Sequence, residues 1–237
     1  MKLNNHIHYL ETDSTNTRSK TLIDTEISPF VVSADRQTLG RGRLGNTWVS
    51  DADSIYISFV LDTKHYTLEY YHYPYLSALI TYLFIKRYIP HSLAIKWPND
   101  ILCGTKKVSG ILIEMQKSHL VIGIGINVHQ SKNYFIQHGL NGTSLSIESV
   151  EKLDVDTLRT SFIIHFQETF SFYQEKKASI FSDWTNACAH IGTQIKCRVG
   201  NRITTGIFLG LGTQGELLLE TAFDKEIIHA GEIIEWT

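Results

Sequence analysis

Lys96-Trp97-Pro98-Asn99-Asp100, followed seven residues after Asp100 by Lys107, gathers a carboxylate, an amide and two or three cations around a short hairpin. Residues two apart share one face of a strand, and Pro98 biases Trp97 toward an extended backbone. The pentad therefore reads as a strand running into a tight turn. Groups of this kind on one side of a sheet suit a site that binds anions and moves protons. A solvated, charged hairpin accounts for the same residues with no chemistry. Upstream, Gly40-Arg41-Gly42-Arg43-Leu44-Gly45 sets two arginines on a glycine-punctuated loop. Such a loop can wrap a phosphate or carboxylate bidentately, then open to release it. It lacks the Gly-Lys-Ser/Thr of a P-loop. An Arg-Gly segment can also bind RNA, but this one is short, isolated and set in a slightly acidic chain, so small-anion binding is preferred.

Two further glycine motifs have different fates. In Gly123-Ile124-Gly125-Ile126-Asn127, two glycines within a strand let a flat or bulky ligand lie against the backbone, with Asn127 as a polar contact. A bulged strand is the plainer alternative. Gly210-Leu211-Gly212-Thr213-Gln214-Gly215 matches the dinucleotide fingerprint in form only. A functional one opens a helix that holds pyrophosphate, whereas Glu216 to Glu220 reads as a strand and too little chain follows for a βαβ unit.

The elements that must position these residues follow from periodicity. His6 to Leu10 reads as a short strand, and Asp13-Ser14-Thr15-Asn16 supplies capping residues for a helix through about Asp24. Strands are expected at 30–34, 54–61, 93–97, 108–115 and 120–128. A helix starts near Pro74, with Leu76, Leu79, Ile80, Leu83 and Phe84 at helical spacing. Leu158, Phe162, Phe166, Phe170 and Tyr173 stripe one face of a long helix, which is core packing. After about Ala189, five short alternating strands in under 50 residues suggest a small β-barrel. Long helices with hairpin-linked strands make the larger part α+β, so the expected division is 1–189 and 190–237.

The bulk properties bound the function. The chain has 237 residues, 43% hydrophobic and 19% charged, which suits an ordinary folded protein. A formal charge of −2 gives no general pull toward nucleic acid or acidic membranes. No apolar run approaches the roughly 20 residues of a membrane span, and no signal peptide is expected. Cys103, Cys188 and Cys197 are scattered and odd in number, which suits reduced thiols in a cytoplasm. The eleven histidines show no zinc-ligand spacing, so no structural metal is expected.

In this order, the motifs resemble those of the biotin protein ligases, also called biotin–[acetyl-CoA-carboxylase] ligases. The matching residues are Asp13-Ser14-Thr15-Asn16, Gln37 with the Gly40–Gly45 loop, Trp48, Lys96–Asp100, Lys107 with Gly110-Ile111-Leu112-Ile113-Glu114, Gly123–Asn127 and the closing Ala230-Gly231-Glu232-Ile233. The resemblance implies a catalytic domain similar to class II aminoacyl-tRNA synthetases, followed by an SH3-like barrel. It implies that ATP activates biotin to biotinyl-5′-AMP, and that biotin then passes to a lysine of a biotin carboxyl carrier protein domain, of acetyl-CoA carboxylase type. Mg²⁺ would accompany the ATP. The match begins near residue 6 and leaves no room for the DNA-binding domain of some members, so ligation without repression is expected. No membrane partner is expected, and a homodimer is left open.

The resemblance also assigns roles. Lys107, Asp100 and Arg43 would be catalytic: Lys107 bridging the biotin carboxylate and the α-phosphate, Asp100 orienting the attacking amine or taking its proton. Ser14, Thr15, Asn16, Gln37, Arg41, Gly42, Arg43, Lys107 and Gly110 would bind biotin. Arg41, Arg43, Trp48, Lys96, Asn99, Asp100, Lys107 and Asn127 would face ATP or the adenylate. Asn46 departs from the pattern, standing where many members carry another basic residue. A biotin- or adenylate-binding sensor without turnover, and lipoate or octanoate ligation, are the alternatives.

Overall fold

The computed structural model describes residues 1–50, 53–149, 151 and 153–237. Its larger sheet contains β1 (Asn5–Thr12), β2 (Phe30–Gln37), β3 (Ser54–Asp62), β4 (Leu93–Lys96), β5 (Asp100–Cys103), β6 (Lys106–Gln116) and β7 (His119–Asn127). Their order across the sheet is β1-β2-β3-β7-β6-β5-β4. Only β1 and β2 run parallel, joined through α1 (Thr15–Leu22); the other neighbours are antiparallel. That mostly antiparallel sheet, with helices packed on it, is the expected α+β arrangement.

Alternation decides what each face of this sheet meets. Ile55, Ile57, Phe59 and Leu61 of β3, with Leu120, Ile122, Ile124 and Ile126 of β7, belong to the main core with α2 (His72–Ile85) and α5 (Val155–Glu175). Phe59 stacks on Phe166 with ring centroids 3.7 Å apart and meets Phe162 edge-on. The expected stripe Leu158, Phe162, Phe166, Phe170 and Tyr173 is buried throughout, and truncating one such Phe would cost about 3–5 kcal/mol. On the opposite face α1 packs against β2, β3 and β7. There the strands present Tyr56, Ser58, Gly123 and Gly125, small or polar residues that leave room for a cavity.

Two short helices, α3 (Lys132–Gln137) and α4 (Leu145–Glu148), follow β7, and α6 (Ile180–Ala187) leads to the C-terminal strands. These are β8 (Gln194–Val199), β9 (Arg202–Leu211), β10 (Leu217–Glu220), β11 (Lys225–Ile228) and β12 (Glu232–Trp236). All five expected strands form, and β10 directly follows the Gly210–Gly215 turn, as the rejection of a dinucleotide fold requires. They form an antiparallel sheet of order β11-β10-β9-β8-β12 whose two edge strands do not pair with each other. Register shifts at Leu218/Leu219 and Ile233/Glu235 interrupt its ladders. Its buried side chains Ile195, Cys197, Phe208, Leu217, Leu219, Ile228 and Ile233 join the same core as Ile95, Trp97 and Trp184. One apolar core therefore runs under both sheets and docks the smaller against the larger.

Candidate active site

The floor of the site is a row of glycines. Register pairs Gly110 with Gly125 and Leu112 with Gly123, and β3 adds Tyr56 opposite Gly125 and Ser58 opposite Gly123. A Cβ on Gly125 would stand 2.6 Å from the Trp48 indole, and one on Gly123 would collide with Asn16 Oδ1. Glycine at these positions thus lets side chains lie flat on the sheet. Trp48 covers the row, its indole N–H is buried without a hydrogen-bond partner among the described residues, and Lys107 Nζ sits 5.1 Å from its ring centroid.

A polar wall rises from the start of α1. Ser14 occupies the N-cap position, but its hydroxyl makes no capping bond. Instead, Asp13 Oδ1 accepts the Ser14 N–H at 2.7 Å, and Gln37 Oε1 accepts the Thr15 N–H at 2.8 Å. Gln37 Nε2 in turn donates to Ser50 Oγ. Ser58 Oγ donates to Asn16 Oδ1 at 2.6 Å, and Asn16 Nδ2 donates to Glu114 Oε2 at 2.9 Å. The capping expectation for Ser14 is therefore corrected: Asp13 and Gln37 take that work and leave the Ser14 hydroxyl free of a capping role.

The arginine loop closes one side. It is pinned by an isolated bridge between Arg41 and Thr47 and by Gly42 N–H donating to Asn46 O. Arg41 pairs with Glu114 Oε1 at 3.1 Å. Arg43 donates to Asn99 Oδ1 at 3.0 Å and to the Gly231 carbonyl at 3.4 Å, so the C-terminal sheet touches the site. Burial lowers the Arg43 pKa, against the pull of Asp100 and Glu232. Asn99 is itself fastened by donating to Ile111 O at 2.8 Å.

Around this loop the structure assembles most of the expected residues in two joined clefts. Ser14, Thr15, Asn16, Gln37, Arg41, Gly42, Arg43, Lys107 and Gly110 all line one cleft of about 450 Å³, with Trp48 and Asn99. A second, of about 540 Å³, holds Lys96, Asp100, Asn46 and Glu232. Both are bounded by Gly42, Arg43, Trp48, Asn99 and Lys107. Lys107 Nζ lies 2.7 Å from Asp100 Oδ1, an ion pair without hydrogen-bond alignment. Lys96 stands across from Asp100 in the ladder, its Nζ 5.3 Å from the Trp236 ring centroid, and burial lowers its pKa. Asn127 lines neither cleft. Its amide donates to the carbonyls of Lys107 and Thr143, so it ties β7 to the strand end that carries Lys107. That tie places Asn127 behind the second cleft, one strand from Lys107. Tyr56, which lines the first cleft opposite Gly125, and Glu114, which borders it through Arg41 and Asn16, were missed as site residues in the sequence. No three His, Cys, Asp or Glu side chains group as metal ligands among the described residues.

This combination of glycine floor, arginine loop and Lys–Asp hairpin matches a known family. The Biotin/lipoate A/B protein ligase family model matches residues 9–131, and the Biotin protein ligase C terminal domain model matches 190–235. The chain belongs to the biotin/lipoate A/B protein ligase family. A bifunctional ligase/repressor of Bacillus subtilis is 33% identical over 218 residues, covering 86% of this chain and 65% of that protein. The chain thus spans about two thirds of the length of that relative. A biotin–[acetyl-CoA-carboxylase] ligase of Paracoccus denitrificans is 29% identical over 234 residues, covering 94% of this chain and 97% of the relative. Among solved structures, a biotin protein ligase from Aquifex aeolicus in complex with biotin and ATP superposes with a TM-score of 0.83, at 29% identity and 99% coverage of both chains.

Proposed function

We propose that this chain is a biotin–protein ligase that makes biotinyl-5′-AMP from biotin and Mg-ATP, then transfers biotin to a carrier lysine. The observation that supports it is the pair of clefts meeting at Arg43, Asn99 and Lys107. One adds, beyond the shared cations, the neutral hydrogen-bonding groups Ser14, Thr15, Asn16 and Gln37 and a glycine floor, which suits the ureido ring and its flat surroundings. The other carries Lys96, Lys107 and Arg43, which suits phosphates.

In the first step a biotin carboxylate oxygen attacks the α-phosphorus and pyrophosphate leaves. Two anions must approach each other, and Lys107, standing on the border of both clefts, lowers that repulsion and stabilises the developing charge. Arg41 and Arg43 clamp carboxylate and phosphate, and the closed loop keeps water from the mixed anhydride. In the second step the carrier amine attacks the acyl carbon, AMP leaves and an amide forms. The amine must shed a proton, and an unperturbed lysine pKa is about 10.4. Asp100 is the candidate acceptor once Lys107 turns to the substrate. Mg²⁺ enters as part of the nucleotide substrate: a few carboxylates together with substrate phosphates suit it better than a protein cage.

We carry the finer readings in the same way. The larger unit, 1–189, is taken as class II synthetase-like and 190–237 as an opened SH3-like barrel. The partner is a carrier domain of acetyl-CoA carboxylase type, and the place of work is the cytoplasm, consistent with three cysteines that form no disulfide. The test is pyrophosphate release that depends on biotin in the absence of carrier. Release equal with and without biotin would remove the activation step from the account.

A further inference from the structure

Glu114 sits on the same strand face as Gly110 and Leu112 and holds Asn16 and Arg41 of the first cleft, yet has no part in the two steps above. Its carboxylate is 17% exposed and is shared among three donors. Lys20 Nζ lies 2.7 Å from Oε1, an Arg41 guanidinium nitrogen 3.1 Å from the same oxygen, and Asn16 Nδ2 2.9 Å from Oε2. Burial pushes its pKa up, but the hydrogen bonds from Lys20 and Asn16, with the charges of Lys20 and Arg41, outweigh that and hold it below the ordinary carboxylate range. Two cations therefore attend one carboxylate, and they sit on different elements: Lys20 on α1, Arg41 on the glycine-punctuated loop.

We propose that Glu114 is a positioning residue that parks Arg41 while the site is empty. Glu114 stands in for the anion that Arg41 would otherwise hold. When a carboxylate or phosphate enters, which is where the proposal rests on the ligase reading, Arg41 exchanges Glu114 for the ligand. The exchange is cheap because Lys20 and Asn16 remain at 2.7 and 2.9 Å, so no buried carboxylate is orphaned. The cluster thus links the wall that would hold biotin, through Asn16, to the loop that would cover it, through Arg41.

Lys20 and Glu114 should act with opposite sign, which separates parking from a merely structural tie. Glu114→Gln keeps the size and the acceptor for Asn16 but removes the charge that holds Arg41. Lys20→Met leaves Arg41 as the one cation on Glu114, beside the Asn16 amide, and tightens the parking. In the ligand-free protein, trypsin cleavage after Arg41 and Arg43 should quicken about two- to fivefold in Glu114→Gln, the range of a half-exposed ion pair. It should slow in Lys20→Met. During adenylate formation the KM for biotin should fall in Glu114→Gln and rise in Lys20→Met, with kcat kept within about twofold. Wild-type cleavage in Glu114→Gln, or acceleration in both variants, overturns the proposal. Should Glu114→Gln fail to fold, the sign for Lys20→Met decides alone. If the wild type makes no biotinyl-AMP, the ligase reading fails, and the trypsin rates still judge the parking.

Discussion

Gly110→Ala separates the site from its scaffold more sharply than loss of any charged group. A methyl at residue 110 would stand 2.7 Å from Trp48 Cζ3 and 2.9 Å from both Lys107 Cε and Nζ. Ordinary contact begins near 3.4 Å, so the Lys107 ammonium must retreat by about half an ångström and Trp48 by slightly more. Both neighbours are far ends of side chains, and Gly110 is not among the residues with positive φ. The backbone can therefore keep its course. Overpacking of about 1 kcal/mol is set against a comparable gain from a stiffer unfolded chain, which leaves stability nearly unchanged. Catalysis has no such compensation, because a misplacement of about 1 Å can cost 10²-fold. Adenylate formation should fall about ten- to hundredfold, or about 1.4–2.7 kcal/mol in the barrier. Single-turnover formation of biotinyl-AMP without carrier gives the rate, and thermal melting gives the stability. An unchanged rate with an unchanged melting temperature would refute the placement of Lys107 against Gly110.

Three further outcomes follow. Lys107→Ala should depress adenylate formation by about 10²–10³, the size of one lost charge-stabilising donor, whereas Asp100→Ala should also slow transfer from preformed biotinyl-AMP by about 10²-fold or more; equal effects on both steps would deny the division of labour. Asn46 borders the second cleft beside Lys96 and Asp100, so Asn46→Arg should slow leakage of free biotinyl-AMP, checked by quantifying released adenylate without carrier. His190 is fully buried with neither ring nitrogen hydrogen-bonded among the described residues, and burial first, then Lys96, lowers its pKa to about 4 from 6.5. The unfolded chain takes up this proton near pH 6.5 and the folded one only near 4, so stability present above pH 6.5 drains as pH falls through that window, by about 3 kcal/mol in all. His190→Phe should flatten that decline and add about 1 kcal/mol at pH 7, measured by urea unfolding at pH 7 and 4.5.

Local pattern carried most of the architecture and most of the cleft. The aromatic stripe on α5 and the alternation in β8 to β12 are strong periodic signals, and both elements formed where that spacing put them. β5 was less legible: four residues between two turns are too few for alternation to show, so Asp100 was seen beside a hairpin but not within a strand. Closure of the C-terminal sheet depends on pairing between its two edge strands, which no period-two pattern encodes. Within the site, the nine residues that the resemblance assigns to biotin line one cleft, an assembly that family motifs carried and that strand parity alone would not have. Asn127 extends the parity of Gly123 and Gly125, but its amide bonds to the Lys107 and Thr143 carbonyls were not legible in that parity. Glu114 had a signal in the same parity as Gly110 and Leu112, although its partners Lys20 and Arg41 lie far away in sequence. The contact of Arg43 with Gly231 spans 188 residues, and only the shared core beneath the two sheets brings it about.

Transfer itself is the most direct test of the account. The purified chain, Mg-ATP, biotin and a biotin carboxyl carrier domain should yield one added biotinyl group on a single carrier lysine by intact-mass and peptide mass spectrometry, with AMP released in equal amount. No mass shift with biotin, or a shift seen only when lipoate replaces it, would contradict the central claim.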